Sequence, residues 1–212
     1  MRLVASERAH EQARPVRLPT LDVTLASGSP LRILDFDLET LAAGYADPNW
    51  VPDKIMVAAW SWVGEDTVTV VDCGKLGFFN REPRREMLAQ LREEIDKADV
   101  LTGHNIARFD LPVINAECMR LGLPVVSHVK VEDTMRVRRS KGFKKGQDVL
   151  TELFRVPIKK QAMNWQEWQD AYETDGWEYV RSRCSSDVLA HKLLRVEMLA
   201  AGILKPITNW RA

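Results

Sequence analysis

Asp35, Asp37 and Glu39 alternate along ILDFDLET, where a short apolar run from Leu31 to Asp37 ends in acids. Side chains of a strand point to opposite faces in turn, so these three carboxylates share one face. Such a face either meets water or holds negative charges that are wanted together. Like charges a few ångströms apart repel, and a partly buried cluster needs a cation to be tolerable. Oxygen ligands of this kind suit a hard divalent ion such as Mg²⁺ or Mn²⁺. For a lone D-x-E, an acidic strand end facing solvent is the commoner explanation. Two further acids stand out. Asp110, in LTGHNIARFDLPVI, falls where a buried strand passes into a helix, and a plain N-cap would account for it. Asp187, in RCSSDVLAHKLL, falls on the last helical segment, where a solvent-facing aspartate is the plainer reading.

The elements that must position these acids are legible in outline. Lys54 to Val63 and Thr67 to Asp72 flank Gly64-Glu65-Asp66, which predicts a hairpin or meander. A helix follows, with Asn80 near its N-cap, Pro83 in its first turn and an apolar stripe of Met87, Leu88, Leu91 and Ile95. Asp99 to Asn105 reads as a buried strand. Leu111, Ile114, Cys118 and Leu121 mark a second helix, closed by Gly122 and Pro124. A third helix starts near Gln147, and the last long one runs from about Trp177 to Leu199. The order β-β-β-α-β-α followed by helices implies an α/β domain, a central mixed sheet of about five strands flanked by helices. Residues 1–28 read as an N-terminal extension, 29–205 as the domain and 206–212 as a tail.

Composition narrows the classes. Of 212 residues, 45% are apolar and 28% charged, enough for a packed core. No apolar run approaches the roughly 18 residues of a membrane helix, and the first twenty residues lack a secretory h-region. Cys73, Cys118 and Cys184 are odd in number and lie at no zinc spacing, so a reducing cytoplasm is the default. Lysine plus arginine balances aspartate plus glutamate at 30 each, which excludes a uniformly basic nucleic-acid binder. A local patch remains: RVRRSKGFKKG, from Arg136 to Gly146, carries six basic residues and no acid. With Phe143 among its cations, this stretch is a candidate funnel for a nucleic-acid backbone, against a solvated loop. Trp165 and Trp168, an i, i+3 pair, read as core.

Taken together, the acids resemble the three motifs of the DEDD, or DnaQ-like, 3′–5′ exonucleases of the ribonuclease H-like superfamily. FDLET at 36–40 looks like the first, GHNIARFDLP at 103–112 like the second and CSSDV at 184–188 like the third. The acids stand 73 and 77 residues apart, from 37 to 110 and from 110 to 187. The likeness covers roughly residues 30–200 and implies a ribonuclease H-like fold. It implies that Asp37, Glu39, Asp110 and Asp187 are catalytic and hold two Mg²⁺ or Mn²⁺ ions, about 4 Å apart, for phosphodiester hydrolysis. Thr40, Asn105 and Phe109 would then contact the substrate strand, joined by Arg138, Arg139 and Lys141 of the basic stretch.

One position departs from the pattern. The family carries a tyrosine four residues before the third-motif aspartate, or a histidine five before it. Here those positions hold Arg183 and Ser182, with neighbours closer to the tyrosine branch. Arginine stays protonated and takes no proton from water. The site could then rely on metal-bound hydroxide alone, with Arg183 as an auxiliary residue contacting phosphate. His191 or Tyr179 could stand in as base, or cleavage could be lost and binding kept. His104 reads as structural. The sequence leaves open whether Asp35 joins the metal site. The expectation is a hydrolase acting on DNA, single-stranded or with a free 3′ end, with RNA as the alternative substrate and a strand-binding pseudo-nuclease as the rival. In 212 residues no polymerase module fits, so it would act alone or in trans, alongside replication or repair proteins. It resembles the small stand-alone forms of phages and bacteria.

Overall fold

In the computed structural model, the structure describes residues 30–41, 54–137, 146–158 and 177–212, with 163–164, 166–167 and 170–171. Arg138, Arg139, Lys141, Phe143, Trp165, Trp168 and the segment 1–28 lie outside the described residues. The elements run β1 (Ile33–Leu41), β2 (Lys54–Trp62), β3 (Thr69–Asp72), α1 (Gly74–Phe79), α2 (Arg81–Lys97) and β4 (Val100–Gly103). They continue with α3 (Asp110–Leu121), β5 (His128–Asp133), α4 (Gln147–Leu153), α5 (Trp177–Ala200) and β6 (Thr208–Arg211).

The six strands form one mixed sheet in the order β3-β2-β1-β4-β5-β6. β1 pairs antiparallel with β2 and parallel with β4, β4 is parallel to β5, and β6 closes the edge antiparallel to β5. Two strands escaped the sequence reading, β5 and β6. Residues 208–211, expected in a C-terminal tail, are the edge strand, because their backbone pairs with His128–Val131.

Both sheet faces are covered, which is why β2 is buried along nearly its whole length. Leu34, Phe36, Met56, Trp60 and Leu101 meet the apolar stripe of α2 and α3, from Met87 to Ile95 and from Leu111 to Leu121. α2 begins after Asn80, whose extended backbone marks the N-cap, and α3 ends at Gly122 with φ +70°. The two helices are also joined by charge. Glu117, fully buried, receives Arg84 Nε at 2.8 Å and Arg120 Nε at 2.7 Å.

The opposite face meets α5, where buried Val180, Cys184 and Val188 are joined by a row of polar contacts. Arg181 reaches Asp72 of β3 at 2.7 Å, His191 reaches Asp35 of β1 at 2.7 Å, Lys192 reaches Ser61 of β2 at 2.7 Å, and Arg195 reaches Glu132 of β5. A smaller apolar cluster of Val137, Leu150, Leu194, Met198 and Leu204 fastens α4 to the end of α5. Among the described residues, no helix is long and apolar enough to cross a membrane, and Cys73, Cys118 and Cys184 are buried and unpaired.

Candidate active site

Strand alternation delivers Asp35, Asp37 and Glu39 to the same partner. Asp35 meets His191, Asp37 lies beside Cys184, and Glu39 meets Arg183, three residues of α5. The register of β1 against β2 shifts between Glu39 and Thr40. That irregularity interrupts the ladder beside Glu39 before it resumes at Thr40 opposite Ile55, and bulges of this kind re-aim side chains.

The second motif is held by a turn. Gly103 ends β4 where a Cβ would come within 2.9 Å of the Phe36 carbonyl and within 2.3 Å of Ile106, so only glycine fits. Asn105 follows with φ +69°, and its carbonyl accepts the backbone N–H groups of Arg108 and Phe109 at 3.1 and 3.0 Å. Asp133, at the end of β5, accepts from the backbone of Asn105, Ala107 and Met135 at 2.8, 3.3 and 2.9 Å. The turn therefore presents Phe109, 39% exposed, and Asp110, the first residue of α3, over the end of the sheet.

Asp37, Glu39, Asp110 and Asp187 converge on one cleft of about 340 Å³, whose lining also includes Thr40, Asn105, Phe109 and Arg183. Eight of the residues singled out in the sequence thus meet in one place. His104 joins them, its Nδ1 3.0 Å from the Thr134 hydroxyl. His191 does not. It is buried beneath the cleft against Asp35, where burial would lower its pKa but the adjoining carboxylate overrides this and raises it. Its side chain is enclosed there and is not among the cleft-lining residues. Tyr179 is half exposed and is not among the cleft-lining residues. Asp35 is likewise enclosed, serving His191 beneath the site.

The electrostatics ask for positive charge. Burial, then the charge of Asp37, push the Asp110 carboxyl well above its ordinary pKa, with Asp133 and Glu39 adding to the effect against an opposing backbone hydrogen bond. Donor atoms of Asp37, Glu39 and Cys184 lie within 4.8 Å of one another. The thiol is the weak member of that set. Burial, then the charges of Asp37 and Glu39, drive its pKa up, so it stays protonated and ligates poorly. Four carboxylates around one cleft are a donor set that fits hard divalent ions. Arg183 is the one arginine or lysine among the described lining residues. Its Nε stands 2.8 Å from Glu39 Oε1 and 3.9 Å from Asp187 Oδ2.

Sequence reasoning missed two supports. Gln147 donates from Nε2 to the Asp187 carbonyl at 2.9 Å and lines the cleft. Asp133 organises the second-motif turn. In the sequence it is marked only by the acid-threonine pair in VEDTM, which has no periodicity or spacing to set it apart.

Comparison with known proteins agrees with this geometry. A model of the DNA polymerase family B exonuclease domain matches residues 18–176. That span takes in the first two motifs and begins inside the segment expected to be an extension. It stops short of α5, so the placement of Asp187 and Arg183 rests on the structure. The DNA polymerase delta catalytic subunit of Caenorhabditis elegans is 31% identical over 115 residues, covering 48% of this chain and 10% of that protein. The chain thus spans about a tenth of that relative's length. With the family model matched over most of its length and a mixed α/β sheet consistent with the ribonuclease H-like fold, the chain belongs to the exonuclease-domain family of the B-type DNA polymerases.

Proposed function

We propose that the chain is a metal-dependent 3′–5′ exonuclease that hydrolyses phosphodiester bonds at DNA 3′ ends. The observation that carries this reading is the convergence of Asp37, Glu39, Asp110 and Asp187 on one cleft. DNA is favoured over RNA because the matching family is a DNA polymerase exonuclease domain. Two divalent ions held by these acids would activate the attacking water and neutralise charge on the phosphate and the leaving 3′ oxygen.

The chain's own residues do the rest. The buried acids stay fixed, because Asp110 starts a helix and Asp187 sits inside one, its carbonyl tied to Gln147. Phe109 offers an exposed ring to a base, a contact tolerant of sequence. Thr40 and Asn105 line the same cleft within reach of the terminal nucleotide. Arg138, Arg139 and Lys141 would add to strand binding by charge alone. Arg183 cannot serve as base, so proton removal from water falls to no side chain at that position.

A second reading has its own observation. The ion pair of Arg183 with Glu39 engages an acid the chemistry needs, which favours a protein that grips single strands and cuts slowly or not at all. One experiment separates the two. DNA labelled at its 5′ end is incubated with protein and Mn²⁺ or Mg²⁺, against EDTA and Asp37→Ala. A metal-dependent ladder shortening from the 3′ end, absent in the variant, supports the exonuclease. Bound but uncut DNA at every metal concentration supports the binder.

A further inference from the structure

A cleft of acids repels the strand it must bind. Each nucleotide brings a negative charge, and Arg183 is the one arginine or lysine among the described residues that line the cleft. The chain as a whole offers no help, since its 30 basic and 30 acidic residues cancel. Strand binding therefore needs cations gathered close to the acids. A second cavity, of about 360 Å³, supplies them. It abuts the second-motif turn, shares Asn105 with the cleft, and is lined by Arg108, Arg136 and Lys205 against one acid, Asp133. That acid is 4% exposed and already accepts three backbone N–H groups, so little of its charge faces the cavity.

One wall of this cavity is the C-terminal segment. Trp210 Nε1 donates to the Ala107 carbonyl at 2.9 Å, Arg136 Nη1 donates to Thr208 Oγ1 at 2.7 Å, and Val137 bridges to Leu204. These contacts hold Lys205 beside the turn. One turn thus serves both cavities, giving Arg108 to this one and Phe109 and Asp110 to the cleft. Lys205 lies beyond residues 18–176, the span matched by the polymerase exonuclease model, so that likeness does not account for the wall.

We propose that this second cavity is a backbone subsite, in which Arg108, Arg136 and Lys205 hold phosphodiester groups of the DNA strand upstream of its 3′ end. The inference rests on the reading that the 3′-terminal nucleotide lies among the four acids. The strand leaves the cleft past Asn105, and its next phosphates meet cations that read charge and no sequence. The acids handle the bond that breaks, while the neighbouring cavity draws the strand in. A chain of zero net charge thereby binds a polyanion. Substrates too short to pass Asn105 gain nothing from the subsite.

The test sets the double variant Arg108→Gln/Lys205→Gln beside wild type and Arg85→Gln, which removes a cation of α2 that lines neither cavity. Both residues of the double variant are exposed, and Arg136 is left intact because its bond to Thr208 also holds β6. Binding of a single-stranded DNA decanucleotide is measured across salt concentrations, with Asp37→Ala added to each protein so that the strand stays uncut. The slope of log Kd against log salt is expected to shrink by about 1.4 in the double variant, about 0.7 for each lost phosphate contact, and Kd to rise by about tenfold. Arg85→Gln is expected to match wild type. Cleavage is then read in Mn²⁺, with Asp37 intact, on the decanucleotide and on a dinucleotide. The ratio of their kcat/KM values is expected to fall by about tenfold in the double variant, whereas damage to the acid site lowers both alike. Equal isotherms and equal ratios for the double variant and wild type overturn the subsite and leave the nuclease reading standing. An equal loss of slope in Arg85→Gln overturns it as well, in favour of overall charge. No metal-dependent cleavage of either substrate by wild type removes the nuclease reading, and with it the 3′ end that the subsite serves.

Discussion

The two faces of the sheet bury comparable lengths of chain in opposite ways. Toward α2 and α3 the strands present Leu34, Phe36, Met56, Trp60 and Leu101, and the helices answer with Leu88, Leu91, Ile114 and Cys118. Toward α5 the same strands present Asp35, Asp37, Glu39, Ser61 and Glu132 beside Val57 and Ala59, and the helix answers with arginines, a lysine and a histidine set among Val180, Cys184 and Val188. The first face contributes through apolar area removed from water, with little directional demand. The second requires each buried charge to find a partner, because an unpaired one is costly. Chemistry belongs on the second face, where fixed charge is already assembled, and stability comes mainly from the first.

The sharpest way to break this division is to substitute one residue from each face. Asp110→Asn is expected to lower the exonuclease rate by about 4 kcal/mol, on the order of a thousandfold. In metal-free protein the same change is expected to stabilise the fold at neutral pH by about 1–3 kcal/mol, since it removes a buried, repelled charge. The sign follows from the raised pKa of Asp110. The native state holds that proton more tightly than the unfolded chain. The penalty is therefore absent below the unfolded carboxyl pKa of about 3.9 and grows as pH rises through the folded value. Melting temperatures across pH 3 to about 7, read without metal, check it. A variant less stable than wild type at neutral pH would show the acids contributing to the fold.

Leu91→Ala on the other face is expected to cost about 2–5 kcal/mol, because Leu91 is fully buried and its loss leaves a cavity. Activity per folded molecule should stay near that of wild type. Denaturant midpoints and active-site-normalised rates measure both quantities. A rate loss as large as that of Asp110→Asn would end the division of labour between the faces.

How much of this was legible depends on the range of the forces involved. The alternation of acids in β1 and the apolar stripes of α2 and α3 are local patterns, and β2, α2, α3 and α5 lie close to where the sequence put them, whereas the run read as ending at Asp37 continues as β1 to Leu41. β6 carries one large apolar residue in TNWR, and only its pairing with β5 makes it a strand. β5, HVKVED, is exposed at its start and buried at its end, which blurs its period. The four acids of the cleft were readable as a set, yet the contact of Arg183 with Glu39 joins residues 144 positions apart. His191 shows the limit most clearly. Its place one turn after Asp187 suggested a base, but that turn carries it deeper under the sheet, to Asp35.

The buried pair of Asp35 with His191 sharpens the comparison from inside the polar face. Burial acts to lower the His191 pKa, but the charge and hydrogen bond of Asp35 raise it overall. The stabilisation is therefore full below the unfolded histidine pKa of about 6.5 and is lost as pH rises through the folded value. His191→Leu is expected to cost about 3 kcal/mol, because it strands a buried carboxylate, and Asp35→Leu added to it should restore most of that. A double variant that keeps its cleavage rate places Asp35 beneath the metal site and outside it. If activity vanishes in the double variant while the fold survives, Asp35 belongs with the catalytic acids.

The smallest effect concerns the turn between the two faces. Asn105 holds φ +69°, a region that costs most residues about 1 kcal/mol and glycine little. Two roles are available to it, shaping the backbone that Asp133 grips or touching the substrate with its amide. Asn105→Gly keeps the backbone and removes the amide, whereas Asn105→Ala removes the amide and adds strain. If shape is the whole role, glycine retains wild-type stability and turnover, and alanine loses about 1 kcal/mol of stability. If the amide touches the strand, both variants weaken DNA binding alike, and only their melting points differ. Binding isotherms at fixed salt, set beside melting curves of the same preparations, decide between these roles. Salt must be fixed because phosphate contacts elsewhere in the groove shift affinity with ionic strength. Equal melting points for glycine and alanine would mean that the turn relaxes without cost, and that the Asp133 hydrogen bonds alone hold Phe109 and Asp110 in place.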